Sequence, residues 1–316
     1  MKLRNSILVV LLSILTTEVV SAQQDAQYTQ YMYNTISVNP AYAGSRGQLS
    51  IAALYRSQWV GVDGSPKTQT LNLHSPIRNS KLGYGVSIVN DEIGNGVVQE
   101  TNFDAVLSYT VDVSREGKLS FGLKAVGNLL NLDFQGLENF DVEPIDEDNI
   151  ENRFSPNIGV GVYYHTNSFY AGLSVPNLLE TEHFDNSQQD SNDVRFLSQE
   201  RINFYLITGY VMELNGDLKF KPALLTKVVG GAPLQVDLSA SFMFNDKFTF
   251  GAAYRWDAAV SAMAGFQVSD QLMLGLAYDR EITDLGGVQF NDGSFEVFLR
   301  YELVKAFRNL VSPRFF

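Results

Sequence analysis

Residues 233–279 read PLQVDLSASFMFNDKFTFGAAYRWDAAVSAMAGFQVSDQLMLGLAYD, and they alternate. Leu234, Val236, Leu238, Ala240, Phe242 and Phe244 are interleaved with Gln235, Asp237, Ser239, Ser241 and Met243. After Asn245-Asp246-Lys247 the pattern restarts as Phe248, Phe250, Ala252, Tyr254 and Trp256. It restarts twice more, as Val260, Ala262, Ala264, Phe266 and Val268, and as Leu272, Leu274, Leu276 and Tyr278. A period of two sends successive side chains to opposite faces of a sheet, and no helix keeps these residues on one side. Each run is about ten residues long, the length of a tilted strand that crosses a bilayer. The apolar faces end in aromatics (Phe244, Phe248, Tyr254, Trp256, Tyr278), as interfacial girdles require. The opposite faces carry Gly, Ser, Ala, Gln and isolated charges, which suit a polar lumen and not a dry core. A soluble antiparallel sheet with one wet face is the competing reading of this stretch taken alone.

Outward from it the same period recurs. Leu49, Ile51, Ala53 and Tyr55 alternate with Ser50, Ala52, Leu54 and Arg56. Leu82, Tyr84, Val86 and Ile88 face away from Gly83, Gly85 and Ser87, and Leu119, Phe121, Leu123 and Ala125 oppose Ser120, Gly122 and Lys124. Ile158, Val160, Val162 and Tyr164 oppose Gly159, Gly161 and Tyr163. The last run sets Phe295, Val297, Leu299, Tyr301 and Leu303 against Glu296, Phe298, Arg300 and Glu302. With the remaining runs the total is about fourteen strands, an even number as bacterial barrels prefer. Short turns near Asn79, Glu116, Thr166, Gly216, Asp246 and Asp270 alternate with connections that include two long polar ones, Asp133 to Arg153 and Pro176 to Gln199. That alternation predicts an all-β chain: a transmembrane antiparallel β-barrel over residues 48–304 with short periplasmic turns and longer extracellular loops. Both chain ends then fall on the periplasmic side.

The composition agrees. The chain has 316 residues, no Cys, a formal net charge of −12 and a mean hydropathy of −0.06. Lipid-facing and lumen-facing residues average to such a value in a barrel. Without Cys there is no disulfide, thiol catalysis or thiolate metal site. The acidic balance argues against nucleic acid as a partner. Residues 1–22 read as a cleaved secretory signal: Lys2 and Arg4, then the apolar Ile7 to Leu15, then Val20-Ser21-Ala22 before Gln23. Export to the outer membrane of a Gram-negative bacterium, among its lipids, is expected. Residues 23–47, rich in Gln, Asn and Tyr and without clean alternation, are expected to be an ordered periplasmic or plug-like segment. Residues 305–316 form a C-terminal tail on the same side.

Catalytic chemistry has little to work with. His74, His165 and His183 are placed apart by this topology, and no Ser, His and Asp set lands on neighbouring strands at one rim. No enzyme, cofactor or metal site is expected. The acidic run Glu138, Asp141, Glu143, Asp146, Glu147, Asp148 and Glu151 lacks the spaced ligands and turn glycine of a calcium loop and reads as a solvated outer loop. The lumen-side charges Arg56, Lys124, Lys219, Lys227, Asp237, Arg255 and Arg300 are expected to pair across the interior.

Several strings together resemble a known family. They are QYTQYMYN, NPAYAGS and YRSQWVG near the start, SPNIGVGVYY with FYAGLSVPNLL, the run from KPALLTKVVGG to FGAAYR, GFQVSDQLMLGLAYD, and the terminal SPRFF. The chain is similar to the PorP/SprF family of type IX secretion system outer-membrane proteins over essentially its whole length past the leader. One departure is GSFE at Gly293 to Glu296, where the family is expected to carry GSHE. The resemblance implies a structural barrel and no catalytic residues. Its implied partners are the type IX translocon, the periplasmic ring and motor lipoproteins, and a large secreted surface adhesin, including gliding adhesins. Two motifs become candidate partner contacts: Asn39, Pro40, Tyr42 and Gly44, and Ser312, Pro313, Arg314, Phe315 and Phe316. A passive outer-membrane channel or small-molecule transporter is the alternative.

Overall fold

The computed structural model describes residues 26–133, 149–180, 201–287 and 289–303. Its strands are β1 (Ser50–Ser57), β2 (Lys67–Pro76), β3 (Leu82–Ile93), β4 (Val98–Asp112), β5 (Lys118–Leu132), β6 (Ile150–His165), β7 (Phe169–Val175), β8 (Asn203–Tyr210), β9 (Met212–Asn215), β10 (Leu218–Val229), β11 (Gln235–Phe244), β12 (Phe248–Arg255), β13 (Ala259–Gln267), β14 (Leu272–Glu281) and β15 (Ser294–Glu302). Every neighbouring pair is antiparallel, and β1 pairs with β15, so the sheet closes. β8 and β9 both pair with β10 and are two halves of one strand interrupted at Val211. The fifteen segments therefore make a closed barrel of fourteen strands.

Closure removes the sheet edges, the only way a sheet can satisfy its backbone in hydrocarbon. The period of two does the rest. In β15, Ser294, Glu296, Phe298, Arg300 and Glu302 are buried and Phe295, Val297, Leu299 and Tyr301 are exposed. In β5, Phe121 and Leu123 point out while Ser120, Lys124 and Asn128 point in. The outer surface is thus apolar and the inside polar, the reverse of a soluble protein. Outward aromatics gather in two bands, with Tyr55, Tyr254, Trp256, Tyr278 and Phe295 near one rim and Tyr84, Tyr109, Phe121, Phe248 and Tyr301 near the other.

One rim carries turns of two to five residues, at 77–81, 113–117, 166–168, 216–217, 245–247 and 268–271. At 245–247 both Asn245 and Asp246 have positive φ, which their short polar side chains tolerate in a tight hairpin. The first and last strands also meet at this rim, where Ser50 opposes Glu302. Among the described residues, the other rim carries 58–66, 94–97, 176–180, 201–202, 230–234, 256–258, 282–287 and 289–293.

The structure adjusts some boundaries. β3 runs on to Ile93, past Ile88, the last residue of the alternation read for it in the sequence. β6 begins at Ile150, inside the segment read as loop to Arg153, because a register shift opposite Leu130 and a left-handed Asn152 (φ 49°) hide its alternation. Such a bulge keeps the ladder while breaking the period.

Candidate functional site

The lumen is occupied by the chain's own N-terminal segment. Residues 28–36 and 38–43 are buried, yet they contain only one helical turn, Thr35–Val38, and one 3-10 turn, Pro40–Tyr42. A segment with so few backbone bonds of its own must find partners elsewhere. Glu296 supplies two: its Oε2 accepts from the Thr29 N–H and its Oε1 from the Gln30 N–H, both at 2.9 Å. Thr29 Oγ1 donates to Asp279 Oδ2 (2.5 Å) and accepts from Arg56 Nη1 (2.8 Å). Arg56 closes the cluster by pairing with Asp279 at 2.6 Å and Glu296 at 3.4 Å, and all three are almost wholly buried. One cation faces two anions, so the clasp carries net negative charge among almost wholly buried side chains. It is tolerated because the surplus lone pairs are spent on plug donors.

Lower down, Tyr33 stacks on Phe298 (5.2 Å between centroids), with Lys221 Nζ and the Arg300 guanidinium 5.3 and 5.5 Å from its ring. Asn72 Nδ2 donates to Asn34 Oδ1. Asn39 caps the 3-10 turn by accepting from the Ala41 N–H (2.9 Å), while its Nδ2 donates to the carbonyls of Val162 (3.0 Å) and Leu173 (3.3 Å). Ser174 Oγ donates to Val38 O and Ser108 Oγ to Ala43 O. The Gly44 N–H donates to His74 Nδ1 (3.1 Å), and Arg46 pairs with Glu302.

The wall is cut to fit. A Cβ at Gly83 would lie 2.5 Å from Ala43 O, one at Gly85 2.6 Å from Ile36 Cδ1, and one at Gly172 2.7 Å from Asn39 Nδ2. Gly122 abuts Pro40 and Ala41, and Gly161 abuts Asn39 Oδ1, still more closely. Glycines on the inner faces of β3, β5, β6 and β7 thus form a shallow cradle for residues 36–43. Gly83 and Gly85 of GYGVS and Gly161 of NIGVGV, read from sequence only as part of a polar inner face, are the imprint of that segment, whereas Gly159 abuts Pro176.

The candidate contacts separate accordingly. Asn39, Pro40 and Tyr42 are buried against the barrel's own wall, while Gly44 is half-buried. Gly44 reaches the wall of a cleft of about 1170 Å3 at the short-turn rim, whose lining includes exposed Arg78, Lys81, Lys118 and Asp112. Ser312, Pro313, Arg314, Phe315 and Phe316 lie outside the described residues, as do His183 and the acidic run from Glu138 to Asp148; Glu151 is exposed on β6. Of the lumen charges, Lys124 pairs with Asp104 (3.4 Å), Arg255 with Asp237 (2.8 Å) and Arg300 with Glu302 (3.5 Å). Lys219 instead meets Asp246 at a short turn, and Lys227 lies 5.6 Å from the Tyr205 ring. The plug residues that share this network carried no periodic signal in the sequence. His74 serves the plug and stacks edge-on with Tyr42, and His165 tilts against Tyr163. Among the described residues no three acidic or histidine side chains converge as a metal set would.

The family model for "Type IX secretion system membrane protein PorP/SprF" matches residues 20–301. The chain belongs to the PorP/SprF family. Its place is the outer membrane, and its system is type IX secretion. A search of the curated proteins gives no match for this PorP/SprF protein. Among solved structures it is similar to the outer membrane protein Omp33 of Acinetobacter baumannii, with 8% identity and a TM-score of 0.47 over 81% of this chain and 98% of that one. The toluene transporter TbuX of Ralstonia pickettii gives 10%, 0.48, 84% and 92%, and a FadL homologue of Pseudomonas aeruginosa 14%, 0.44, 85% and 94%. At these values none lends its transport function to the PorP/SprF chain.

Proposed function

We propose that this barrel is a sealed docking component: it joins type IX secretion or gliding machinery on its periplasmic side, or supports export and surface anchoring of a partner adhesin, and it does not conduct solutes. The filled lumen carries this reading. A solute path would have to displace residues 27–46, which hold two carboxylate-bound N–H groups, a buried ion-pair cluster and a close-fitting glycine wall. The cleft beside Gly44, with three cations against one carboxylate, supports the short-turn rim as the docking side for acidic periplasmic partners. The motif Asn39 to Gly44 then acts through position: Asn39, Pro40 and Tyr42 hold Gly44 at that mouth. Ser312 to Phe316 remains a second contact to the same machinery.

The experiment is purification of the tagged protein from native outer membranes in mild detergent, with co-purifying proteins identified by mass spectrometry. Type IX ring or translocon subunits are the expected recovery for a core component, and one large adhesin for a dedicated anchor. Reversing Arg78, Lys81 and Lys118 to glutamate should remove the periplasmic partners and leave the barrel assembled. A partner-free wild-type barrel would overturn docking and favour the channel.

A further inference from the structure

The N-terminal segment does not take up the lumen evenly. Beside it, in the half toward the long loops, runs a cavity of about 120 Å3 whose lining includes Tyr31, Val38, Glu100, Asp104, Lys124 and Asn177. At the long-loop rim lies a vestibule of about 780 Å3, and Gln27, Glu100, Lys227 and Gln235 line both, so the two make one funnel. The funnel stops part-way down. Along β4 it touches Glu100, Asn102 and Asp104, whereas the cleft at the short-turn rim touches Thr110 and Asp112. Along β5 Lys124 and Val126 line the cavity and Lys118 the cleft, and Gly122 between them is pressed against Pro40 and Ala41.

The narrow part favours a cation. Four carboxylates line it (Asp91, Glu100, Asp104 and Asp237) with two ammonium groups, Lys124 and Lys227. Arg255 pairs with Asp237 from the vestibule side, so four negative charges face three positive ones. Asp104 points to what is wanted there. Its side chain is 4% exposed, and Lys124 approaches only Oδ2, at 3.4 Å, while Oδ1 is buried with no hydrogen bond among the described residues. Asn177 Oδ1, on the same cavity, is in the same state. Buried oxygens without a donor are costly, and two on one cavity call for a donor-rich partner. A primary ammonium brings three N–H donors and one positive charge. A metal ion fits less well, since no three acidic or histidine side chains converge among the described residues. The vestibule suits the stem that would carry such a group. Its walls include Pro233, Leu234 and the chain's only two tryptophans, Trp59 and Trp256, whose ring faces attract cations and apolar stems alike. Trp59 holds a φ of 45°, which a bulky residue keeps only where its surroundings fix it, and its N–H donates to Ser294 Oγ (3.2 Å). We propose that this funnel binds a ligand that ends in a primary ammonium on a slender apolar stem, the chemistry shared by a free alkyl amine and a lysine side chain. The ammonium sits at Asp104 and Asn177, and the stem runs up toward the tryptophans. Entry from the outer face rests on the outer-membrane reading, with the short turns in the periplasm; binding itself does not.

Because both tryptophans border the vestibule, their emission reports occupancy without a label, and calorimetry gives the second readout. The purified full-length protein in detergent is titrated with n-pentylamine at neutral pH. Two controls, n-pentanol and pentyltrimethylammonium, lack the charge and the N–H donors respectively. The expected result is saturable binding of pentylamine and at least tenfold weaker binding of both controls. Asp104→Asn should weaken pentylamine at least tenfold, and Glu116→Gln, exposed in the short turn 113–117, should leave it unchanged. Should Asp104→Asn fail to assemble, as judged by heat-modifiable gel migration, Asn177→Leu takes its place with the same expected loss. An N-acetylated pentapeptide with one central lysine separates the two sources: tighter binding than pentylamine assigns the site to a lysine side chain, weaker binding to a free amine. No saturable binding of either amine, equal affinity for pentyltrimethylammonium, or affinity unchanged by the substitution at Asp104 or Asn177 would overturn the proposal.

Discussion

Glu296 shows how much one side chain can organise in this barrel. Its carboxylate receives Thr29, Gln30 and Arg56, and the side chain is almost wholly buried. Replacing it with alanine leaves two plug N–H groups without their acceptor, while Arg56 keeps its pair with Asp279. Each buried donor left unsatisfied costs about 1–3 kcal/mol, or about 2–6 kcal/mol for the two. Glu296→Ala should lose about that much in urea unfolding from lipid vesicles, whereas an exposed charge such as Glu151→Ala should change little. Gly122 offers a second, purely steric test. Its missing Cβ is the space that Pro40 and Ala41 use. Gly122→Val should push the 3-10 turn off the wall and expose residues 26–47 to limited proteolysis, with the strands intact by circular dichroism. Retained protease resistance would mean the cradle is looser than its contacts indicate.

At the scale of the element, the strand alternation assigns opposite tolerances to neighbours in the sequence. Leu123 lies mid-way along β5 and faces outward, and the adjoining Lys124 faces in and pairs with Asp104. Arginine on the lipid face near the midplane of a barrel costs about 2–4 kcal/mol. Leu123→Arg should destabilise the folded barrel by that amount in vesicle unfolding, while Lys124→Arg, which keeps the ion pair, should be close to neutral. Equal effects would contradict the assigned faces. This is also where the sequence was most legible. The runs from Leu234 to Tyr278 name their outward residues correctly because one face meets lipid and the other does not, and nothing tertiary competes with that pattern. β6 was clipped at its start because Asn152 and the bulge opposite Leu130 interrupt the period without ending the ladder. The N-terminal segment was less legible for a different reason. It has neither helical nor strand period, and its partners lie up to 267 positions away, so nothing local specifies where Thr29 or Asn39 will sit. The charges Arg56, Asp237, Arg255 and Arg300 could be expected to pair, but the plug as a member of their network could not be read from them.

For the molecule as a whole, the account is that a PorP/SprF barrel spends its interior on its own chain. Membership of a type IX secretion family and an apolar belt place it in the outer membrane, and the N-terminal segment occupies its lumen. Its proposed work is then done by its two rims and their partners. The measurement that tests this most directly is conductance of the purified full-length protein in planar bilayers, without partners. The sealed-lumen account predicts a silent wild-type barrel, and open events when Gly122→Val loosens the plug. Steady ohmic pores from the wild-type protein would contradict it and make the lumen a solute path.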